Sequence, residues 1–271
     1  MTLVSTDWLN KNLNKVKIID ASWHLVKNRN ATQEYNKEHI ENAIFFDLDK
    51  NSNQRKDLPH GHFLPSINDH EKNISKIGIL NTDRIIIYCN SNLISSCRAW
   101  FQFLYFGHDP KLVSVLNGGM KKWKLEDRKV TNSKTKIIPC EYKAKENKNM
   151  IKIKYQIDEN IKKKEFTVLD ARSKNRFLGL APEPRPGIKS GSIEGSKSLP
   201  IGEIVNVKDN TFLNAKKLRD MFNSIEISSN KIVMSCGSAV SAASLALAYS
   251  LINDDYIPKI YIGSWTEFVK K

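Results

Sequence analysis

Short apolar runs alternate with amphipathic segments along this chain. In the first half, the runs predict strands at residues 16–20, 43–49, 85–88 and 113–116, and helical spacing predicts helices at 67–77 and 99–106. In the second half, the same signals predict strands at 167–170, 195–200 and 232–236 and helices at 213–222 and 245–251. Strands and helices therefore follow one another in the same order twice.

Matching landmarks in the two halves are separated by nearly constant distances along the chain. Asp170 follows Asp20 by 150 positions, and Cys236 follows Cys89 by 147. A near-constant offset indicates a duplicated domain, and the alternation predicts mostly parallel α/β sheets flanked by helices, with functional residues at the carboxyl ends of strands. We place a first domain at 1–130, a lysine- and asparagine-rich linker at 131–150 and a second domain at 151–271.

Composition narrows the function classes. The chain has 271 residues, a formal net charge of +14 and four cysteines without a C-x-x-C pair, which favours neither a zinc site nor a disulfide framework. The lysines are scattered rather than grouped with aromatic residues, so we expect no nucleic-acid partner. No apolar run approaches the roughly 18 residues of a membrane span, and the N-terminus lacks a signal-peptide pattern. We therefore expect a cytoplasmic protein without a membrane partner.

The apolar strand that ends at Cys236 is followed by a loop of small residues and then by a helix. If the loop curls over the sulfur, its backbone amides and the positive end of the helix favour the thiolate over the thiol. This arrangement predicts that Cys236 is a nucleophile. The alternative is a buried cysteine that only packs at the end of a core strand.

A charged, proline-rich stretch at 170–187 follows another strand of the second half. It carries Arg176 and Arg185 on an irregular segment rather than on a solvated helix face. A planar guanidinium binds a carboxylate with two hydrogen bonds, so two arginines near a thiolate suit a small anionic substrate. The alternative is that both arginines form salt bridges to Asp170 and Glu183.

Four motifs together resemble the two-domain rhodanese sulfurtransferases. They are the segments 170–177, 182–187, 236–242 and 263–267. The resemblance covers nearly the whole chain and implies two tandem rhodanese-like domains, of which the first is degenerate and non-catalytic. It further implies that the second domain's cysteine accepts a sulfur atom as a persulfide. The uncharged Gly237 and Ser238 are similar to the loop of the 3-mercaptopyruvate sulfurtransferases, whereas thiosulfate sulfurtransferases have basic residues there.

The resemblance assigns roles to residues of this chain. It implies that Cys236 is the persulfide-forming nucleophile and that Arg176 and Arg185 hold the substrate's carboxylate and carbonyl. It implies a proton relay of Ser238 with His62 and Asp49, and His60 is the rival of His62 for that role. The remaining residues implied to surround the substrate are those of the cysteine loop, Gly237, Ala239, Val240 and Ser241.

Some residues depart from the family pattern. Ala239 stands where the family has glycine, and if that position needs a positive φ, alanine strains the loop. Ser241 replaces a threonine, and Ser192 replaces a histidine that we interpret as structural. Cys89 occupies the equivalent place in the first half, where we expect a packing cysteine rather than a second sulfur site.

The sequence thus predicts sulfur transfer from 3-mercaptopyruvate to a thiol acceptor, such as thioredoxin or a small thiol, or to cyanide. The prediction requires no metal and no organic cofactor. A thiosulfate sulfurtransferase and a non-catalytic sulfur carrier or binding module are the alternatives. A cysteine phosphatase is excluded because Ala242 stands where phosphate binding needs an arginine.

Overall fold

Two parallel β-sheets organise the computed structural model of the chain. The structure describes residues 2–25, 28–53, 55, 57–58, 61–92, 94–225 and 231–270. The chain divides into two units. The first comprises Met1–Ser52, Leu64–Asn147 and Val207–Thr211, and the second comprises Asn53–Phe63, Lys148–Asn206 and Phe212–Lys271.

In the described part of the first unit, five strands form a parallel sheet in the order β1-β5-β4-β2-β3. The strands are β1 (Leu3–Val4), β2 (Lys17–Asp20), β3 (Ala43–Phe45), β4 (Ile85–Tyr88) and β5 (Val113–Leu116). The helices are α1 (Thr6–Asn10), α2 (Ala31–Lys37), α3 (Ile67–Lys76), α4 (Ser96–Tyr105) and α5 (Gly119–Leu125).

The second unit repeats this topology over its described residues, with the strand order β6-β10-β9-β7-β8. The strands are β6 (Ile151–Lys152), β7 (Thr167–Asp170), β8 (Lys197–Ser198), β9 (Ile232–Ser235) and β10 (Ile260–Tyr261). The helices are α6 (Lys154–Lys163), α7 (Lys174–Phe177), α8 (Ala215–Asn223), α9 (Ser241–Ser250) and α10 (Ser264–Phe268), with 3₁₀ turns at Lys148–Met150 and Ile201–Glu203. The predicted fold class is confirmed.

The central strand of each sheet leads to a cysteine. β4 and β9 are third of five in their sheets, and every residue of both strands is buried. Strands covered on both faces require continuous apolar runs, which is why these two segments gave clear sequence signals. Cys89 and Cys236 follow them directly, at the edge where the carboxyl ends of the strands meet.

Helix boundaries follow local capping and burial. Ser66 begins α3 by accepting a hydrogen bond from the amide of Asp69 at 3.1 Å, and Asn214 begins α8 by accepting one from the amide of Lys217 at 2.9 Å. α9 differs from both, because its residues from Ser241 to Ala248 are all buried. A helix that is buried on all sides lies inside the unit. Its first turn begins five residues after Cys236.

Two stretches lie elsewhere than their chain position suggests. Residues 131–147, expected to be a linker, pack on the first unit: the Cys140 amide donates to the Ser75 carbonyl at 3.0 Å, and the Tyr142 ring stacks on His108. Residues 53–63 precede the predicted domain boundary but are grouped with the second unit. Among the helices described, none is long and apolar enough to span a bilayer.

Candidate active site

Cys236 lies buried between the end of β9 and the start of α9. Asp170 is paired with Ser235 in the sheet register, so β7 and β9 end at the same level. Val240 and Ser241 lead from the cysteine loop into α9 and are buried with it. The predicted arrangement of strand, loop and helix is present, and the thiol lies near the positive end of a ten-residue helix.

The first turn of α10 holds the cysteine loop. Ser264 Oγ accepts hydrogen bonds from the amides of Cys236 and Ala239, at 3.4 and 3.0 Å. The Gly237 carbonyl accepts from the amide and the hydroxyl of Thr266, at 3.1 and 2.7 Å. Two amides expected to point at the sulfur therefore bind Ser264 instead. Stabilisation of the thiolate is left to the other amides of the loop.

Ala239 adopts a left-handed backbone conformation, with a φ of 61°. This conformation costs an alanine about 1–2 kcal/mol relative to the right-handed one. The Ala239 amide is held by Ser264, whose own φ is 52°, and both residues are fully buried. The loop thus retains a positive φ at this position although its residue is alanine.

Arg176, in the short helix α7, and Arg185, on the loop after it, converge over Gly237. A methyl group added at Gly237 would lie 3.2 Å from Arg176 Nη2 and 3.2 Å from Arg185 Nη1. Both guanidiniums therefore reach the residue next to the nucleophile. A side chain at position 237 would require both guanidiniums to move by a few tenths of an ångström.

A buried ionic network lies behind these arginines. Arg172 binds Asp170 through Nη2 at 2.8 Å and Glu183 through Nη1 at 2.7 Å, and Glu183 also binds Arg176 at 2.5 Å. Burial opposes the charge on Arg172, but the two carboxylates outweigh it and raise the pKa of Arg172 above its ordinary value. The salt-bridge alternative therefore holds for Arg176 with Glu183, whereas Asp170 is bound by Arg172.

Arg172 was not among the predicted site residues. Its sequence signal was its position two residues after the strand-end Asp170, within a segment rich in charged residues. Its partner Glu183 lies eleven positions further on, and a contact across an irregular loop leaves no periodicity in the sequence.

Ser238 lies between a cation and an imidazole. Its Oγ accepts a hydrogen bond from Arg185 Nη2 at 2.7 Å and lies 3.2 Å from His62 Nδ1. Because the guanidinium only donates, the protonation of His62 sets the direction of the Ser238–His62 hydrogen bond: the hydroxyl donates to an unprotonated Nδ1 and accepts from a protonated one. The structure therefore brings Ser238 and His62 together, and both are buried in the second unit.

The remaining predicted relay residues are Asp49 and His60. Asp49 is grouped with the first unit, where its Oδ1 accepts a hydrogen bond from Trp23 Nε1 at 3.1 Å. His60, the rival of His62, lies outside the described residues.

The equivalent position in the first unit has different surroundings. Cys89 is buried and its Sγ lies 3.4 Å from Ser96 Oγ. Ser22 stands two residues after Asp20, where the second unit has Arg172 after Asp170, and it binds Asp20 through its amide at 2.9 Å. The strand-end aspartate of the first unit therefore receives a hydroxyl and an amide in place of a guanidinium.

Comparisons with known proteins give one consistent result. Residues 5–126 match the model of the Rhodanese-like domain. The chain is 36% identical to thiosulfate/3-mercaptopyruvate sulfurtransferase 1, mitochondrial, of Arabidopsis thaliana, over 98% of the chain and 75% of the relative. It is 32% identical to human 3-mercaptopyruvate sulfurtransferase, over 98% and 91%. The crystal structure of the Escherichia coli 3-mercaptopyruvate sulfotransferase SseA superposes with a TM-score of 0.86 at 28% identity, covering 98% of this chain and 99% of that one.

Proposed function

This chain belongs to the rhodanese family of sulfurtransferases, and we propose that it moves a sulfur atom from 3-mercaptopyruvate to a thiol acceptor or to cyanide through a persulfide on Cys236. The observation that carries the proposal is the convergence of Arg176 and Arg185 on the residue next to Cys236. Two guanidiniums at a buried thiol suit a small carboxylate that carries a transferable sulfur.

In the first step, the Cys236 thiolate attacks the sulfur of mercaptopyruvate. A sulfur–sulfur bond forms, the carbon–sulfur bond breaks, and its electron pair passes to the leaving enolate of pyruvate. Arg176 and Arg185 hold the carboxylate and the carbonyl oxygen, where the negative charge of the enolate develops. The backbone of Gly237, Ala239, Val240 and Ser241 surrounds the transferred sulfur.

The enolate carbon then needs one proton. We assign its delivery to His62 and Ser238, whose contact supports a relay in which the serine passes its proton to carbon and recovers one from the imidazolium of His62, which takes up that proton when the Cys236 thiol ionises. Asp49 as the third member of this relay stays a prediction. In the second step, an acceptor thiolate attacks the outer sulfur and releases the Cys236 thiolate.

The charge of the site supports 3-mercaptopyruvate over thiosulfate as the donor. Gly237 and Ser238, which directly follow the nucleophile, carry no charge. Mercaptopyruvate carries one carboxylate, whereas thiosulfate is a dianion. A dianion would favour cations at positions 237 and 238, whereas a single carboxylate can be bound by Arg176 and Arg185.

The acceptor and the compartment belong to the same proposal. We propose thioredoxin or a small thiol as the acceptor, because a persulfide is discharged by attack of a thiolate on its outer sulfur. All four cysteines are free thiols, which supports a reducing compartment such as the cytoplasm. We also propose that the first unit is non-catalytic, because Ser22 stands after the strand-end Asp20 where the second unit has Arg172 after Asp170.

The test compares two rates for the wild type and Cys236→Ser. They are pyruvate release from 3-mercaptopyruvate and thiocyanate formation from thiosulfate and cyanide. We expect pyruvate release to be faster and both activities to vanish in the variant. A faster thiosulfate reaction would favour the thiosulfate sulfurtransferase, and the absence of turnover with either donor would favour a sulfur carrier or binding module.

A further inference from the structure

The short helix α10 contacts all three stretches that carry the proposed catalytic groups. Ser264 and Thr266 hold the cysteine loop, as described above. Trp265 holds the irregular stretch after β7 that carries the arginines. Its Nε1 donates to the Lys189 carbonyl at 2.7 Å, and its ring lies 4.6 Å from the Arg172 guanidinium. The third contact, made by Glu267, reaches the stretch 53–63.

Besides Asp57, which binds Arg55 at 2.6 Å, Glu267 is an acceptor for Arg55. Its Oε1 accepts a hydrogen bond from Arg55 Nη1 at 2.7 Å, and its Oε2 accepts one from the hydroxyl of the buried Tyr261 at 3.0 Å. The Glu267 side chain is 14% exposed, whereas that of Arg55 is 41% exposed. A half-exposed arginine contributes little to folding stability, so replacing Arg55 leaves the second unit folded.

Arg55 is connected to the residues around His62. Its guanidinium lies 5.1 Å from the centre of the Phe63 ring, and Phe63 directly follows His62. The Asn53 amide donates to the Phe63 carbonyl at 2.9 Å, which closes the stretch on itself. Arg55 therefore contacts Phe63, the residue next to His62, and His62 Nδ1 lies 3.2 Å from Ser238 Oγ.

We propose that the Arg55–Glu267 ion pair is a positioning device that holds His62 against Ser238. This inference rests on the proposed function, in which His62 and Ser238 deliver the proton to the leaving enolate. Arg55 itself touches neither the reacting atoms nor the two substrate-binding arginines in this scheme. It acts through the placement of His62.

The two sulfur donors differ in their need for that proton. When mercaptopyruvate gives up its sulfur, the leaving group is an enolate, whose carbon must be protonated to give pyruvate. Thiosulfate leaves as sulfite, a stable anion that requires no proton from the protein. Loss of the ion pair should therefore slow the mercaptopyruvate reaction selectively, which general damage to the fold or to Cys236 cannot do.

The experiment measures kcat and KM with each donor for Arg55→Ala. We expect kcat for 3-mercaptopyruvate to fall about tenfold with KM unchanged, since a misplacement of about 1 Å costs up to about 10²-fold in rate. Thiosulfate turnover should stay within about twofold of the wild type, and Arg55→Lys, which keeps the charge, should recover part of the loss. Arg219→Ala, which removes an exposed cation from α8, is the matched control for net charge.

His62→Gln, measured alongside, separates the positioning role of Arg55 from the proton relay of the proposed function. A selective loss in His62→Gln without one in Arg55→Ala overturns the positioning role and leaves the proposed function intact. An equal loss with both donors in Arg55→Ala also overturns it. If His62→Gln shows no selectivity, the proton relay itself is wrong, and the positioning role is overturned with it.

Discussion

Replacing His70 by phenylalanine should make the first unit resistant to acid. His70 lies on α3, is fully buried, and stacks on Phe106 with ring centroids 3.9 Å apart. Burial, reinforced by the nearby positive charges of His108 and Arg98, lowers the pKa of His70 from 6.5 to about 3. A phenylalanine preserves the aromatic stacking and cannot take up a proton.

The magnitude follows from the difference between the folded and unfolded states. The unfolded chain takes up a proton at His70 near pH 6.5, whereas the folded chain does so only near pH 3. Stability from this group is therefore fully present above pH 6.5 and is lost as the pH falls towards 3. At 1.36 kcal/mol for each pH unit, the full loss is about 5 kcal/mol, and at pH 4.5 it is about 3 kcal/mol.

Urea unfolding followed by tryptophan fluorescence measures this effect in the right unit, because Trp8, Trp23, Trp100 and Trp123 lie in the first unit and only Trp265 lies in the second. The free energies of unfolding at pH 7 give the baseline difference between wild type and variant. Between pH 7 and 4.5, this difference should move in favour of the variant by about 3 kcal/mol. Parallel loss of stability in the two proteins would refute the reasoning.

Two further predictions concern the strand-end aspartate of the first unit and the cysteine loop. Burial raises the pKa of Asp20 to about 6, so its stabilising contribution is full below pH 3.8 and is lost as the pH rises through 6. As the pH rises between these values, the free energy of unfolding of Asp20→Asn should increase by up to about 3 kcal/mol relative to that of the wild type, measured by the same unfolding assay. A difference between the two proteins that stays constant with pH would contradict this. Gly237→Ala should raise KM for 3-mercaptopyruvate about tenfold, since its methyl group would lie 3.2 Å from a nitrogen of each of the proposed substrate-binding residues Arg176 and Arg185, and both must then shift. An unchanged KM would mean that the arginines do not meet the substrate at this point.

The strands were the most predictable part of the fold. β4, β5 and β7 lie at the predicted residues because buried strands of a parallel sheet need uninterrupted apolar side chains. α2 and α6 were not predicted. α2 buries none of its residues and α6 buries only Ile157, so neither has the apolar periodicity by which helices are recognised.

The candidate site was predictable where chemistry is local in sequence. Cys236 follows a strand and precedes a helix, and both arginines lie on one proline-rich stretch, so residue type and position sufficed to nominate them. His62 was nominated by resemblance, and the structure places it beside Ser238, 176 positions away in sequence. Such a contact has no signature in either segment alone.

The residues that hold the site together were the least predictable, and they show how the fold controls the chemistry. Ser264 lies in a segment that the sequence marked only as a family motif, and Glu267 three positions later gave no catalytic signal. Their effect depends on a single turn of α10 that presents a hydroxyl to the cysteine loop and a carboxylate to Arg55. Since α10 contacts the cysteine loop, the stretch that carries the arginines and Arg55, a change in α10 should displace Cys236, the proposed substrate-binding arginines and His62 together. A change at Arg55 should displace only His62, the proposed proton donor, and for this reason the Arg55 variants test proton delivery separately from sulfur transfer.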